Sequence, residues 1–526
     1  MKFSPKILVF LTIVFMLLLT LGELPVKSKS PMPENKVPGQ VESIARRLMN
    51  DLKQQGYEVE RGYFKLYTEK DCPTSFQELG NCYGNNPAAP YVLFSVPSWH
   101  EEFIDPATDE AFGLNIDGYS TSYRLDPREA IIILGVLPPK ASYLGLQTYL
   151  FTRQDSFDLT SPTYLFMQDK PPLMRMFFLK VPQNTERVVS LASLSNSLNH
   201  VVIEEQSGAA FDQQRYFIIT PDQFMDKTVR NTLKRISVHE DDIFTEPIPA
   251  NMNLGLDEAA DDFVTILRYA MPEDGGTLGT PSDTWRTDLP LVVLRVRDTK
   301  SGRPPLEYPA FTEPEVRPIA SEFYLKDGLV SLVKAVSQKW DQPLAASNAM
   351  QMLRVQPAPI NMVGPKCSQI GMNCLADTQD TSYQYSFPLP LFENNIYAVV
   401  GTLGTRTNNA TYVGLGLTAT IRMLGFENRS DTDLADTANA FDGVKNTDKF
   451  FVYYFTRDCS GLDTYTGGHC LEISEDDLPL CEDPTAATCN KLSISLRDYM
   501  PPGSQRGPDD NYILPAMVIP LQRPEE

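Results

Sequence analysis

Apolar residues run together, with no polar alternation, at Ile131-Ile132-Ile133-Leu134. Such a run predicts a strand covered on both faces. Gly135 ends it, and Pro138-Pro139 cannot donate to a ladder, so the chain must leave the sheet there. Ser142–Arg153 follows, rich in aromatic and branched residues, with Tyr143 and Tyr149 spaced to share one face of a strand. Leu125–Arg153 is therefore expected to be two buried strands joined as a hairpin with a wide turn. A related pattern returns later. Ile133-Leu134-Gly135, a loop and Ser142-Tyr143-Leu144-Gly145-Leu146 are matched by Val399-Val400-Gly401, a loop and Thr411-Tyr412-Val413-Gly414-Leu415. Two related β-domains would produce this, and so would a coincidence among residues common in strands.

Period-two and short apolar segments predict further strands at 57–67, 91–96, 163–167, 176–181, 200–205, 215–220, 264–269, 291–296, 383–387, 396–400, 411–422 and 450–456, with an edge strand at 513–521. Helical spacing appears at Val41, Ile44, Leu48, Met49 and Leu52, with Gly56 as the stop, and at Leu329, Leu332, Val333 and Val336. Thr220-Pro221-Asp222-Gln223 has the form of a capping box before a third apolar stripe. Cys72–Pro90 is expected to be a disulfide loop, and 105–123 an irregular one. The expected fold class is β-rich α+β: two sandwich-like β-sheet domains, 41–299 and 319–526, with a few packed helices and a Pro-rich linker at 300–318.

The chain has 526 residues and a net charge of −21, a balance that opposes nucleic acid and anionic membrane surfaces. Lys2 and Lys6 precede the uncharged run Ile7–Leu21, the pattern of a secretory signal peptide or, if uncleaved, a signal anchor over residues 1–28. A polar spacer, 29–40, follows. Eight cysteines then fall as near neighbours: Cys72 and Cys82, Cys367 and Cys374, Cys459 and Cys470, Cys481 and Cys489. An even count behind an export signal predicts disulfides, and short loops favour neighbour pairing, although spacing does not prove connectivity. The protein is thus expected outside the cytoplasm, touching a membrane only through its N-terminal segment.

Candidate chemistry is sparse. His100 with Glu101 and Glu102 sits at a strand end, where an acid/base group could work, although sequence neighbours need not converge. His239-Glu240-Asp241-Asp242 has the same look at a helix exit. His469-Cys470 lacks the usual Cys-x(2–4)-Cys spacing of a zinc site. Gly118–Ser122 is half a nucleophile elbow without its second glycine. Asp431, Asp433, Asp436, Asp442 and Asp448 could supply oxygen to calcium, but not in EF-hand order, and no other cofactor is expected. Asn409-Ala410-Thr411 and Asn428-Arg429-Ser430 are glycosylation sequons. The leading expectation is a non-catalytic extracytoplasmic binding or surface protein with an unidentified ligand. The alternative is a secreted hydrolase of glycosides or esters using loop carboxylates and His100.

Overall fold

A computed structural model describes residues 35–312, 317–342, 349–354, 360, 362–481, 483 and 489–524. The proposed leader and residues 29–34 of the spacer lie outside the described residues. Four sheets carry a strand-rich α+β fold, as the composition of the segments implied.

The first sheet runs in the order Glu58–Arg61, Leu291–Arg297, Glu129–Val136, Gln214–Thr220, Ile243–Pro247. The second runs Tyr63–Tyr67, Tyr91–Pro97, Asp262–Pro272, Ala141–Gln154, Asn184–Ser193, with short additions. The strand Glu129–Val136 is covered on both faces, as its apolar run requires. Ile131 and Ile133 point into the core between the two sheets. Ile132 and Leu134 pack under the helices Gly39–Gln54 and Gln223–Arg235. The expected hairpin is not formed. Glu129–Val136 and Ala141–Gln154 belong to different sheets, and Pro138-Pro139 carries the chain across the core between them. Tyr57–Tyr67 divides in the same way at Gly62. A Cβ there would stand 2.2 Å from the Ser95 carbonyl oxygen, so only glycine fits the crossing.

The third sheet is ordered Met350–Gln351, Met517–Gln522, Asn395–Thr402, Phe450–Thr456, Cys470–Glu472, and the fourth Leu353–Arg354, Thr381–Tyr385, Leu492–Tyr499, Tyr412–Ala419, Leu424–Ser430. Ten strands of the first pair therefore recur in the second, in the same chain order, with the same neighbours. In both copies the last strand of the first-type sheet pairs parallel and the others antiparallel. Each copy is preceded by a helix on its outer face, Gly39–Gln54 in one and Lys326–Lys339 in the other. The recurrent Tyr-x-Gly-Leu pattern falls at equivalent places, opening the strands Ala141–Gln154 and Tyr412–Ala419. It marks a duplicated architecture.

Other expectations are corrected. Residues 163–167 and 200–205 are helical, within Pro162–Met167 and His200–Ser207, and 176–181 is divided between the end of the helix Pro171–Phe177 and the short strand Lys180–Val181. Local start signals outweigh the apolar runs. Ser161 and Asn199 accept from Tyr164 N and Val202 N, and Pro162 and Pro171 occupy first-turn positions. Cys72–Leu79 is a helix, not loop. The cap of Gln223–Arg235 is Asp222, which accepts from Phe224 N, while Thr220 Oγ1 donates to the Glu129 carbonyl.

All four neighbour disulfides form. Two of them staple loops inserted at the same point of each copy, between the first and second strands of the second-type sheet. These loops are exchanged. The arm with Cys72–Cys82 reaches the second copy, where Gly84 N donates to Met423 O at 2.6 Å and Gly425 N to Asn85 Oδ1 at 3.1 Å. The arm with Cys367–Cys374 reaches the first. Ile360, Met362 and Met372 fill its core, and Asp377 accepts from Ser193 N and Oγ at 2.9 and 2.7 Å.

Two outcomes are expected. Gly62→Ala should lower unfolding free energy in urea by about 1–3 kcal/mol, because the backbone it strikes cannot yield cheaply. Asp498 is 3% exposed, and its Oδ1 has no hydrogen-bond partner. Burial, with Glu322 and Asp510 nearby, pushes its carboxyl well above the usual range. An acid that holds its proton more tightly folded than unfolded costs nothing below its unfolded pKa of about 4 and penalises the fold increasingly above it. Asp498→Asn should therefore raise the melting temperature at pH 7, with the gain vanishing towards pH 4.

Candidate functional site

Strand register superposes the two copies residue by residue. Arg268 lies opposite Gly145 and Tyr91; Arg497 lies opposite Gly414 and Tyr383. Both arginines sit in the same short pattern, Leu-Arg-x-x-Met-Pro, at Leu267–Pro272 and Leu496–Pro501. Both are buried, at 4% and 5% exposure. They meet where the copies join, in a cluster with Tyr143, Tyr412 and Tyr499. The Tyr499 ring lies 4.5 Å from Tyr143 and 5.1 Å from Tyr412 between centroids. Gly145 and Gly414 make this possible, because a Cβ at either would meet the hydroxyl of the tyrosine two residues before it. Ala270 stands where the second copy has Tyr499, leaving room for one phenol at the joint.

Each arginine clasps the arm of the other copy. Arg268 Nη2 donates to Ala376 O at 3.1 Å, and Arg497 Nη2 to Gly84 O at 3.2 Å. Neither has a carboxylate within ion-pair distance among the described residues. Their remaining nitrogens differ. Arg268 Nη1 donates to the Tyr149 hydroxyl at 2.6 Å, and its guanidinium lies over the Tyr91 and Tyr149 rings. By register, Tyr149 corresponds to Thr418, and its partner Val264 to Ser493. The shorter pair leaves Arg497 Nη1 with no hydrogen-bond partner.

Arg497 lines a cavity of about 30 Å³, together with Thr418, Ser493, Tyr383 and Tyr385. Burial raises the phenol of Tyr385, and the charge of the adjacent Arg497 and its side-chain hydrogen bonding to that phenol oppose the rise. Tyr83, Leu375, Tyr385, Met423 and Ser493 are shared with a larger chamber of about 290 Å³ between the copies. Its walls are largely apolar, including Leu173, Phe178, Leu353 and Ile360, and Arg175 and Lys491 stand towards its mouth. No described lining residue of either cavity is acidic, in a chain with 67 Asp and Glu against 46 Lys and Arg.

The residues singled out from sequence lie elsewhere. His100 is exposed on a turn. Glu101 pairs with Arg297 at 2.5 Å, which holds its carboxyl below the usual range, and Glu102 pairs with Arg295 at 2.6 Å beneath Trp99. Both carboxylates are thus engaged with guanidinium groups. His239 caps a short turn, and Glu240 pairs with Lys234. Cys470 is bonded to Cys459, so its sulfur offers no thiolate beside His469. No helix follows Ser120, which lies in a two-residue strand. Asp433 closes a capping box with Ser430, and no group of three potential metal ligands occurs among the described residues. Asn409 is 1% exposed, and its amide donates to Glu322 Oε1 at 2.9 Å. Asn428 is half-buried beside Tyr412. Sequence reading passed over Arg268 and Arg497 because a charge inside an apolar strand looks like a break in pattern. The repeated Leu-Arg-x-x-Met-Pro was the signal.

No family model matches this chain, and no curated protein does. Among solved structures it is similar to the VPA0106 protein from Vibrio parahaemolyticus, at 10% identity and TM-score 0.34, over 92% of this chain and 96% of that one. It is also similar to an uncharacterised protein from Burkholderia cenocepacia, at 10% identity and TM-score 0.36, over 92% and 87%. Likeness at that level assigns neither fold family nor activity.

The Tyr149 contact should matter for stability. Tyr149→Phe removes the partner of a buried guanidinium nitrogen, and unfolding in urea should show a loss of about 1–3 kcal/mol.

Proposed function

We propose that this is an exported binding protein whose ligand chamber is the cleft between its two copies. Export is supported by the basic and apolar N-terminal pattern together with four disulfides, which persist in oxidising compartments. No described helix is long and apolar enough to cross a membrane. The single observation that carries the binding reading is the chamber itself. It is concave, mostly apolar and sited at the junction of two packed units, with a few convergent polar groups at one end, which is the usual construction of a small-molecule site. Its size suits a small ligand, and its walls come from both copies, so a ligand would be gripped across the joint.

The neutral fluorescent probe N-phenyl-1-naphthylamine tests this directly. It should bind the full exported chain with about one site per molecule and enhanced emission. Leu173→Trp, which fills the chamber, should abolish that enhancement while leaving the melting temperature within a few degrees. Absence of saturable binding by the unmodified protein would overturn the assignment.

A further inference from the structure

Duplication supplies an internal control for the site. In the first copy, the arginine of Leu-Arg-x-x-Met-Pro has both terminal nitrogens engaged: one holds the opposite arm and the other holds Tyr149. In the second copy, the arm is held in the same way, but Thr418 stands in place of the tyrosine. A guanidinium in apolar surroundings is costly unless its donors are paired. Arg497 Nη1 nevertheless has no hydrogen-bond partner, and the side chain lines the small cavity, which shares Tyr83, Leu375, Tyr385, Met423 and Ser493 with the larger chamber. The substitution that breaks the pseudo-symmetry has removed a protein partner and left space where that partner would stand.

We propose that Arg497 is the seat for the head group of an amphipathic organic carboxylate, whose apolar body fills the adjoining chamber; this rests on the chamber being a binding site. Three observations select the chemistry. The open donor is a guanidinium, whose planar fork matches a carboxylate. The head-group cavity, at about 30 Å³, suits two oxygens better than a bulkier tetrahedral phosphoryl group. The described walls carry Arg268, Arg497 and Lys491 and no acid, which favours an anion over a cation although the whole chain is strongly acidic. Arg268 is the positioning residue of the pair, since both of its terminal nitrogens are engaged, on Tyr149 and Ala376.

The test is displacement of N-phenyl-1-naphthylamine by decanoate and by decanol at pH 8, with the full chain. Decanoate should displace the probe at a concentration at least tenfold below decanol. Arg497→Gln should erase that preference while decanol binding persists. Because loss of Arg497 also loosens the arm, Thr418→Tyr is the decisive second variant. It should restore the first copy's arrangement, hold or raise the melting temperature, and lower decanoate affinity at least tenfold. Gly416→Ala, whose Cβ would stand 2.7 Å from Arg497 Nη1, should weaken decanoate with little change in unfolding. Equal displacement by decanoate and decanol, or a decanoate preference that survives Arg497→Gln and Thr418→Tyr, would overturn the carboxylate seat and leave the chamber standing. If the probe itself fails to bind, the chamber reading falls, and this proposal falls with it.

Discussion

Everything at the joint depends on two buried guanidinium groups reaching across it. Without a carboxylate in contact, each must satisfy its donors on neutral groups, and each finds a backbone carbonyl on the opposite copy's arm. A carbonyl fixed in a stapled loop is a well-placed acceptor, because the loop's entropy has already been reduced by its disulfide. The arginines therefore set where the arms lie. The arms in turn roof the space between the sheets. Packing of Tyr143, Tyr412 and Tyr499 completes the joint with aromatic area, and glycines two residues after Tyr143 and Tyr412 give those phenols room to lie flat along their strands.

The chamber follows from this geometry without any loop devoted to it. Two similar sandwiches placed face to face leave a gap wherever their surfaces are not complementary, and the exchanged arms close part of it. The polar end of the gap lies beside the second copy's arginine, because that copy has threonine and serine where the first has tyrosine and valine. Equivalent positions have thus taken different tasks: one side of the joint is packed and rigid, and the other is open and polar.

Much of this architecture was legible in the chain. The apolar run at Ile131–Leu134 announced a strand covered on both faces, the cysteines announced their neighbours, and Tyr-x-Gly-Leu announced a second copy. The misreadings have a common cause. Whether two successive strands pair with each other or enter facing sheets is decided by what covers them, and Pro138-Pro139 serves either outcome. Short apolar segments such as Tyr164–Met167 carry no usable period, so the cap at Ser161 and the proline after it were the better guides. Among possible site residues, His100, Glu101 and Glu102 drew attention through reactive side chains crowded in sequence. The arginines that meet in space are 229 positions apart, and only the comparison of one copy with the other shows that one of them lacks a partner.

The exchange of stapled arms also bears on how the chain matures. Ile360, Met362 and Met372 occupy the interior of a unit whose own strands end at Arg297. That unit is therefore still missing part of its interior when its last strand emerges during synthesis, and it must wait with apolar surface uncovered until more than sixty further residues have arrived. Biogenesis of the N-terminal half is coupled in time to that of its twin, which makes the interval between them the period when the protein has most need of a chaperone.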